Sequence, residues 1–293
     1  MIHLRIAIAG DLHGQWGTPD IKLLSLLNPD ALLVVGDFSE GDTNISTQLT
    51  QLNIPVACIL GNHDTGRDDS GCKIRRHLNI LGDLHCGWSL RQWDTPISVV
   101  GARPGSTGGG FHLSNAIKST YGNLSLDQSV ELMSVAASEA PNDQPLIILS
   151  HCGPSGLGSS ADDLCGRDWK LPALDWGDQD LELALNRIRK QRHISLVVFG
   201  HMHHQLKRGG GWRKTHILDR WGTSYLNAAS VPRYCIDEYG QPLNHFAWAE
   251  FYNGRLWSLS HHWYDLNGQL QYKQPLLRPA PMATVSDFPL ISC

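Results

Sequence analysis

Five short runs of apolar residues recur along the chain, at Ile6–Ala9, Ala31–Val35, Val56–Leu60, Leu146–Leu149 and Leu196–Phe199. None alternates with polar residues, which is the pattern of a strand covered on both faces. Helix-like stretches lie between them: Ile21–Leu27, Asp127–Ala137, and Gln179–Arg189, where Leu181, Leu185 and Ile188 share one face. Strands alternating with helices predict an α/β fold. Towards the C-terminus the pattern changes. Ala247–Tyr252 and Arg255–Leu266 are split by Asn253-Gly254, and a further strand follows Asn267-Gly268. Asn-Gly between strand-like runs predicts tight hairpins, hence a meander closing a second sheet. From Pro275 onward prolines accumulate and the chain reads as an extension. The expected organisation is one domain over 1–274, an insert near 82–145 that shapes substrate access, and a C-terminal extension over 275–293.

Composition narrows the classes. With 24 Lys and Arg against 28 Asp and Glu, the net charge is −4. A nucleic-acid tracker would show a basic excess or stripe, so nucleic acid is not an expected partner. No apolar run approaches the ~20 residues of a membrane span, and no membrane association is expected. The apolar pattern starts at Ile2, leaving no room for a leader. Seven cysteines, an odd number without close pairing, read as reduced thiols and a cytoplasmic location. The 15 histidines are the unusual count.

The residues directly after each apolar run carry the chemistry. The runs end in Gly10-Asp11-Leu12-His13, Gly36-Asp37, Gly61-Asn62-His63-Asp64, Ser150-His151 and Gly200-His201-Met202-His203. Ligand sites of α/β sheets lie at the carboxyl ends of strands, and every run delivers a metal-type side chain there. Four of the five place a glycine before it, as a sharp turn requires. The donors are Asp11, Asp37, Asn62, His13, His151, His201 and His203, too many for one tetrahedral zinc and too oxygen-rich for a thiolate site. If one carboxylate bridges, the seven serve two ions equally, leaving room for a hydroxide and a substrate oxygen. Two divalent ions, two carboxylates and a hydroxide leave a charge of about +1 facing an anionic ester, which suits a two-metal phosphoesterase.

In order, Asp-x-His, Gly-Asp, Gly-Asn-His-Asp, a lone His and Gly-His-x-His resemble the calcineurin-like metallophosphoesterase superfamily. Tyr225–Val231 resembles its Asn-containing strand, and softer motifs at 101–106 and 175–178 resemble an uncharacterised cyanobacterial and plastid branch. The resemblance implies a metallophosphoesterase-like four-layer sandwich, two packed β-sheets flanked by helices. It implies Asp11, His13 and His203 on one metal, Asn62, His151 and His201 on the other, and Asp37 bridging. It implies that His63 assists the leaving group, oriented by Asp64, a role an imidazole suits near neutral pH. Imidazole with carboxylate suits Mn, Fe or Zn.

The substrate side is less defined. Arg103 and His112 flank the Gly-rich stretch Ser106–Phe111, which reads either as a phosphate-binding gate or as a surface Ω-loop. The segment Ser155–Asp168 would overhang the metals as a lid. Within it, Arg167 meets either a substrate phosphate or Asp162 and Asp163. Arg208–Arg220 is basic and reads as an anion attractor or a solvated turn. His204 reads as a supporting or exposed residue, and His261 and His262 as surface or packing residues. The expected function is hydrolysis of a small phosphodiester or phosphomonoester, nucleotide-like, by a metal-bridging hydroxide. The rivals are a metal-containing scaffold that binds proteins, and a nuclease.

Overall fold

The computed structural model describes residues 2–278. Its strands are β1 (His3–Ala9), β2 (Ala31–Val34), β3 (Val56–Cys58), β4 (Leu90–Gln92), β5 (Ser98–Gly101), β6 (Leu146–Cys152), β7 (Leu196–Gly200), β8 (His216–Leu218), β9 (Ser224–Asn227), β10 (Tyr234–Ile236), β11 (Pro242–Tyr252), β12 (Arg255–Asp265) and β13 (Leu270–Leu277). The helices are α1 (Thr18–Leu27), α2 (Asn44–Thr50), α3 (Cys72–Leu81), α4 (Asn115–Tyr121), α5 (Leu126–Glu139) and α6 (Gln179–Ile188). All five apolar runs are strands.

The five strands belong to two sheets, which the runs alone did not reveal. One sheet has the order β13-β12-β11-β1-β2-β3, with β10 pairing β11; the other is β4-β5-β6-β7-β9-β8. β1, β2 and β3 are parallel, as are β5, β6, β7 and β9. The C-terminal meander forms as expected, but it extends the β1 sheet: β11 pairs antiparallel with β1, matching Ile6 to Ala249.

The unalternating runs follow from the layering. Ile6, Ile8, Leu33, Val35, Ala57 and Ile59 of one sheet share a core with Ile147, Leu149, Leu196 and Val198 of the other. The intervening residues, Ala7, Leu32, Val34, Ile148 and Phe199, pack with Leu23, Leu49, Ile74, Met133 and Leu185 of the helices. Each of these five runs therefore buries both faces, and the architecture is helix, sheet, sheet, helix.

The 82–145 stretch is built in: it supplies β4 and β5 to the edge of the second sheet, together with α4 and α5. β13 runs through Pro275 to Leu277; the expected extension from 279 onward lies outside the described residues.

Candidate metal centre

Both sheets bring the carboxyl ends of their parallel strands to one edge, and the candidate ligand residues stand there, His151 at the end of β6 and the others in the loops that follow their strands. Two groups of ligand atoms converge: Asp11, His13 and His203, and Asp37, His151 and His201. Asp37 also links the groups, its Oδ2 lying 3.7 Å from His13 Nε2 and 3.4 Å from His151 Nε2. Asn62 joins the second group, with Oδ1 at 3.0 Å from His151 Nε2. The loops are tied to one another: His13 N–H donates to the Asp37 carbonyl at 2.6 Å, and His201 N–H to Asp11 Oδ2 at 2.8 Å.

The glycines before the ligands serve two purposes. Gly36 has φ +90, a turn that side chains resist. Gly200 instead makes room, since a Cβ there would stand 2.1 Å from Asp11 Oδ1.

The donor set fits cations. His151 Nδ1 lies 2.8 Å from the Val35 carbonyl, which only accepts, so Nδ1 carries the proton. Nε2 faces Asp37 Oδ2 and Asn62 Oδ1, so a positive charge belongs between them. Burial opposes it, but the Asp37 carboxylate pushes His151 up to about 10, and either a proton on Nε2 or a metal ion supplies that charge. His13 Nε2 and His203 Nε2 meet at 3.2 Å in the other group. Asp11 Oδ1 is buried without a hydrogen-bond partner, and burial pushes that carboxyl up to about 7. Burial likewise depresses His201 to about 3 and His203 to about 4, keeping both imidazoles neutral as metal ligands must be. Burial opposes ionisation of Asp37, but His151 reverses this and holds its carboxyl well below the ordinary range.

His63 belongs to neither group. It lines the cavity at the centre, with its ring centroid 5.1 Å from that of His13. Asp64 does not orient it. The Asp64 carboxylate is buried and accepts the N–H groups of Phe38, Ser39 and Gly61, so it shapes the turns that carry Asp37 and Asn62. Glu40 holds His63, with Oε1 at 2.5 Å from Nδ1.

The three expected substrate residues are placed elsewhere. Arg103 is 1% exposed. Its guanidinium pairs with Asp178 at 2.5 Å and Asp180 at 3.0 Å, and it holds the carbonyls of Gly110 and His112. It ties the Gly-rich loop to α6 and presents no free face to substrate. His112 is exposed and bonds Thr107 Oγ1, and it does not line the cavity. Arg167 is buried against the Trp176 ring and donates to the Pro172 carbonyl; Asp162 and Asp163 pair with Lys214 instead.

Of the segment 155–168 expected to overhang the centre, only Asp168 lines the cavity; Trp169 and Trp176, just beyond it, complete that wall, and Arg213 staples the whole 155–178 segment. Arg213 donates to the carbonyls of Ala161, Asp163 and Gly166 and to that of His203, and it faces Asp168 at 3.4 Å. Asn227 pins the Met202 carbonyl at 2.7 Å, between the two ligands of the Gly-His-x-His turn. His204, buried, bonds the Asn227 carbonyl, and His261 and His262 are buried packing residues. Sequence reasoning missed Glu40, Trp169, Trp176 and Lys207, the last three in the cavity wall. Two tryptophans in a glycine-rich loop just after a ligand strand were the available signal.

The calcineurin-like phosphoesterase family model matches residues 4–205, and the chain belongs to that family. Among solved structures, the chain is similar to TT1561 of Thermus thermophilus, at 12% identity and a TM-score of 0.53, covering 94% of this chain and 99% of that one. It is also similar to a dimetal phosphatase from Danio rerio, at 12% identity and a TM-score of 0.52, covering 90% and 96%. At such identity the likeness shows the fold. Among curated proteins, no sequence matches this chain. Among the described residues, no helix is long and apolar enough to cross a membrane.

Proposed function

We propose that this chain hydrolyses small phosphomonoesters or phosphodiesters at a two-metal centre. One observation carries the reading: two ligand groups share Asp37, and His63 stands free of both at the cavity they floor. Asp11, His13 and His203 would hold one ion, and Asn62, His151 and His201 the other, with Asp37 between; Mn, Fe and Zn all suit these ligands. When bound, two such ions supply positive charge opposite the phosphoryl oxygens and acidify water. The protein's own part is positioning and proton transfer. Glu40 fixes Nδ1 of His63, leaving Nε2 to give a proton to the departing oxygen, which then leaves as a neutral alcohol rather than as an alkoxide. Phosphoryl transfer needs little else beyond charge placed where it develops.

A cavity of about 420 Å³ suits a small ligand and offers no extended track for a polymer. We read residues 1–274 as one catalytic domain in which the 82–145 insert reaches the cavity through Thr107. Free cysteines throughout the described residues support a reducing, cytoplasmic setting.

The test is hydrolysis of matched model mono- and diesters by Mn-loaded protein beside His63→Ala. Wild-type turnover is expected, with a loss of about 10²–10⁴-fold in the variant at undiminished metal content. Silence of the wild type on every ester would overturn the hydrolase reading and favour a metal-containing binding scaffold. Wild-type rates in His63→Ala would remove the proton-transfer role.

A further inference from the structure

Part of the cavity wall has no role in holding metal. Trp169, Trp176 and Lys207 face the cavity whose floor is Asp37, His63 and His203. Both indoles come from the overhanging segment, and Trp176 is locked in place. Its Nε1–H donates to the Thr107 carbonyl at 2.8 Å, and the Arg167 guanidinium lies 5.0 Å from its ring centroid. Gly109 packs so closely that a Cβ there would stand 2.8 Å from the ring. Trp169 stands edge-on to Trp176, with centroids 5.3 Å apart and planes at 82°. Lys207 Nζ is 5.8 Å from the centroid of Trp169. Asp168, on the same wall, is already engaged by the Lys207 N–H and by Arg213.

The two half-buried indoles therefore form a right-angled corner within one cavity with the metal ligands. A flat ring seated in such a corner stacks on one indole and meets the other edge-on, the two arrangements aromatic pairs prefer. An aliphatic group would reach neither geometry. Lys207 adds a cation on the same wall. We propose that this corner is a subsite for a planar aromatic ring carried by the phosphate ester, the chemistry that nucleotides and aryl phosphates share. The proposal rests on the phosphoesterase reading above and names the substrate class for that site.

The test is binding rather than turnover, using phosphonates that cannot be hydrolysed, followed by calorimetry and tryptophan fluorescence on the Mn-loaded chain. The probes are the methylene phosphonate analogue of adenosine monophosphate, phenylphosphonate and butylphosphonate. Both ring-bearing probes are expected to bind about tenfold or more tighter than butylphosphonate, the scale of ring stacking on an indole. In Trp169→Leu, and in Trp176→Leu as a second variant, that margin should shrink to about twofold at unchanged metal content. A tighter adenosine probe than phenyl assigns the corner to nucleotides, and equal affinity assigns it to aryl esters at large. Butylphosphonate binding as tightly as the others, or a margin that survives both variants, overturns the subsite while leaving phosphoester hydrolysis standing. Failure of every ester in the turnover assay defeats the hydrolase reading independently of these affinities.

Discussion

Asp11, His13, Asp37 and His201 all have left-handed backbones, with φ of 41, 42, 47 and 64°. Side chains other than glycine rarely adopt this region, at a cost of about 1–2 kcal/mol each. The conformation persists because the turns are cross-tied, His13 to Asp37 and His201 to Asp11. Two substitutions test this frame. Asp37→Asn should lose bound metal and activity together, because one neutral amide cannot serve both groups; full metal occupancy in that variant would refute the shared role. Gly200→Ala should release metal from the Asp11 group, since the new methyl would strike Asp11 Oδ1. Elemental analysis after gel filtration reads both. A third separates orientation from proton transfer: Glu40→Leu should lower kcat about tenfold or more at constant metal content, and Glu40→Gln should recover most of it because its amide oxygen can still accept from Nδ1. The candidate ligands were legible because each stands at or just past the C-terminal end of a buried strand. The partner of His63 was not, because Asp64 is its neighbour in sequence while the turn points that carboxylate inward and brings Glu40 across from another loop.

Between the ligand strands, elements are held by buried arginines. Arg213 joins the overhanging 155–178 segment to the turn of His201 and His203, with four carbonyls and Asp168 around one guanidinium. Arg103 does the same for the Gly-rich loop and α6. In sequence these residues look like anion binders, since a basic side chain among glycines is equally the mark of a phosphate loop and of a loop that needs its carbonyls satisfied. Burial decides between them, and it depends on which distant acid the fold delivers. Arg213→Met should therefore cost about 3 kcal/mol or more of stability, because it leaves the Asp168 carboxylate buried beside a neutral side chain. It should also raise amide hydrogen exchange across 155–178 and weaken ring-bearing ligands more than inorganic phosphate. Arg208→Ala, at an exposed position of the same basic stretch, should do none of this. Equal exchange in the two variants would show that the segment holds itself.

At the scale of the whole molecule, the layers of sheet and helix leave many histidines buried. His77, His85, His204 and His262 are each depressed to about 4 by burial, and His245 and His261 lie well below their ordinary value for the same reason. The folded chain thus refuses protons that the unfolded chain accepts below about pH 6.5. Stability is therefore full above pH 6.5 and falls as pH drops from there toward 4, where the buried rings finally charge. Each such histidine removes about 1.4 kcal/mol between pH 7.5 and 5.5, a large share of a stability of about 5–15 kcal/mol. Metal release on acidification would also weaken the fold, so the difference between variants isolates the effect. His77 is buried against Phe38 and bonded through Nδ1 to Ser46, far in role from any ligand group. His77→Asn can keep that bond but has nothing to titrate. Between pH 7.5 and 5.5 the urea midpoint of the wild type should fall further than that of the variant, by the equivalent of about 1.4 kcal/mol. Parallel pH dependences would mean that His77 is protonated as readily in the folded chain as in the unfolded one.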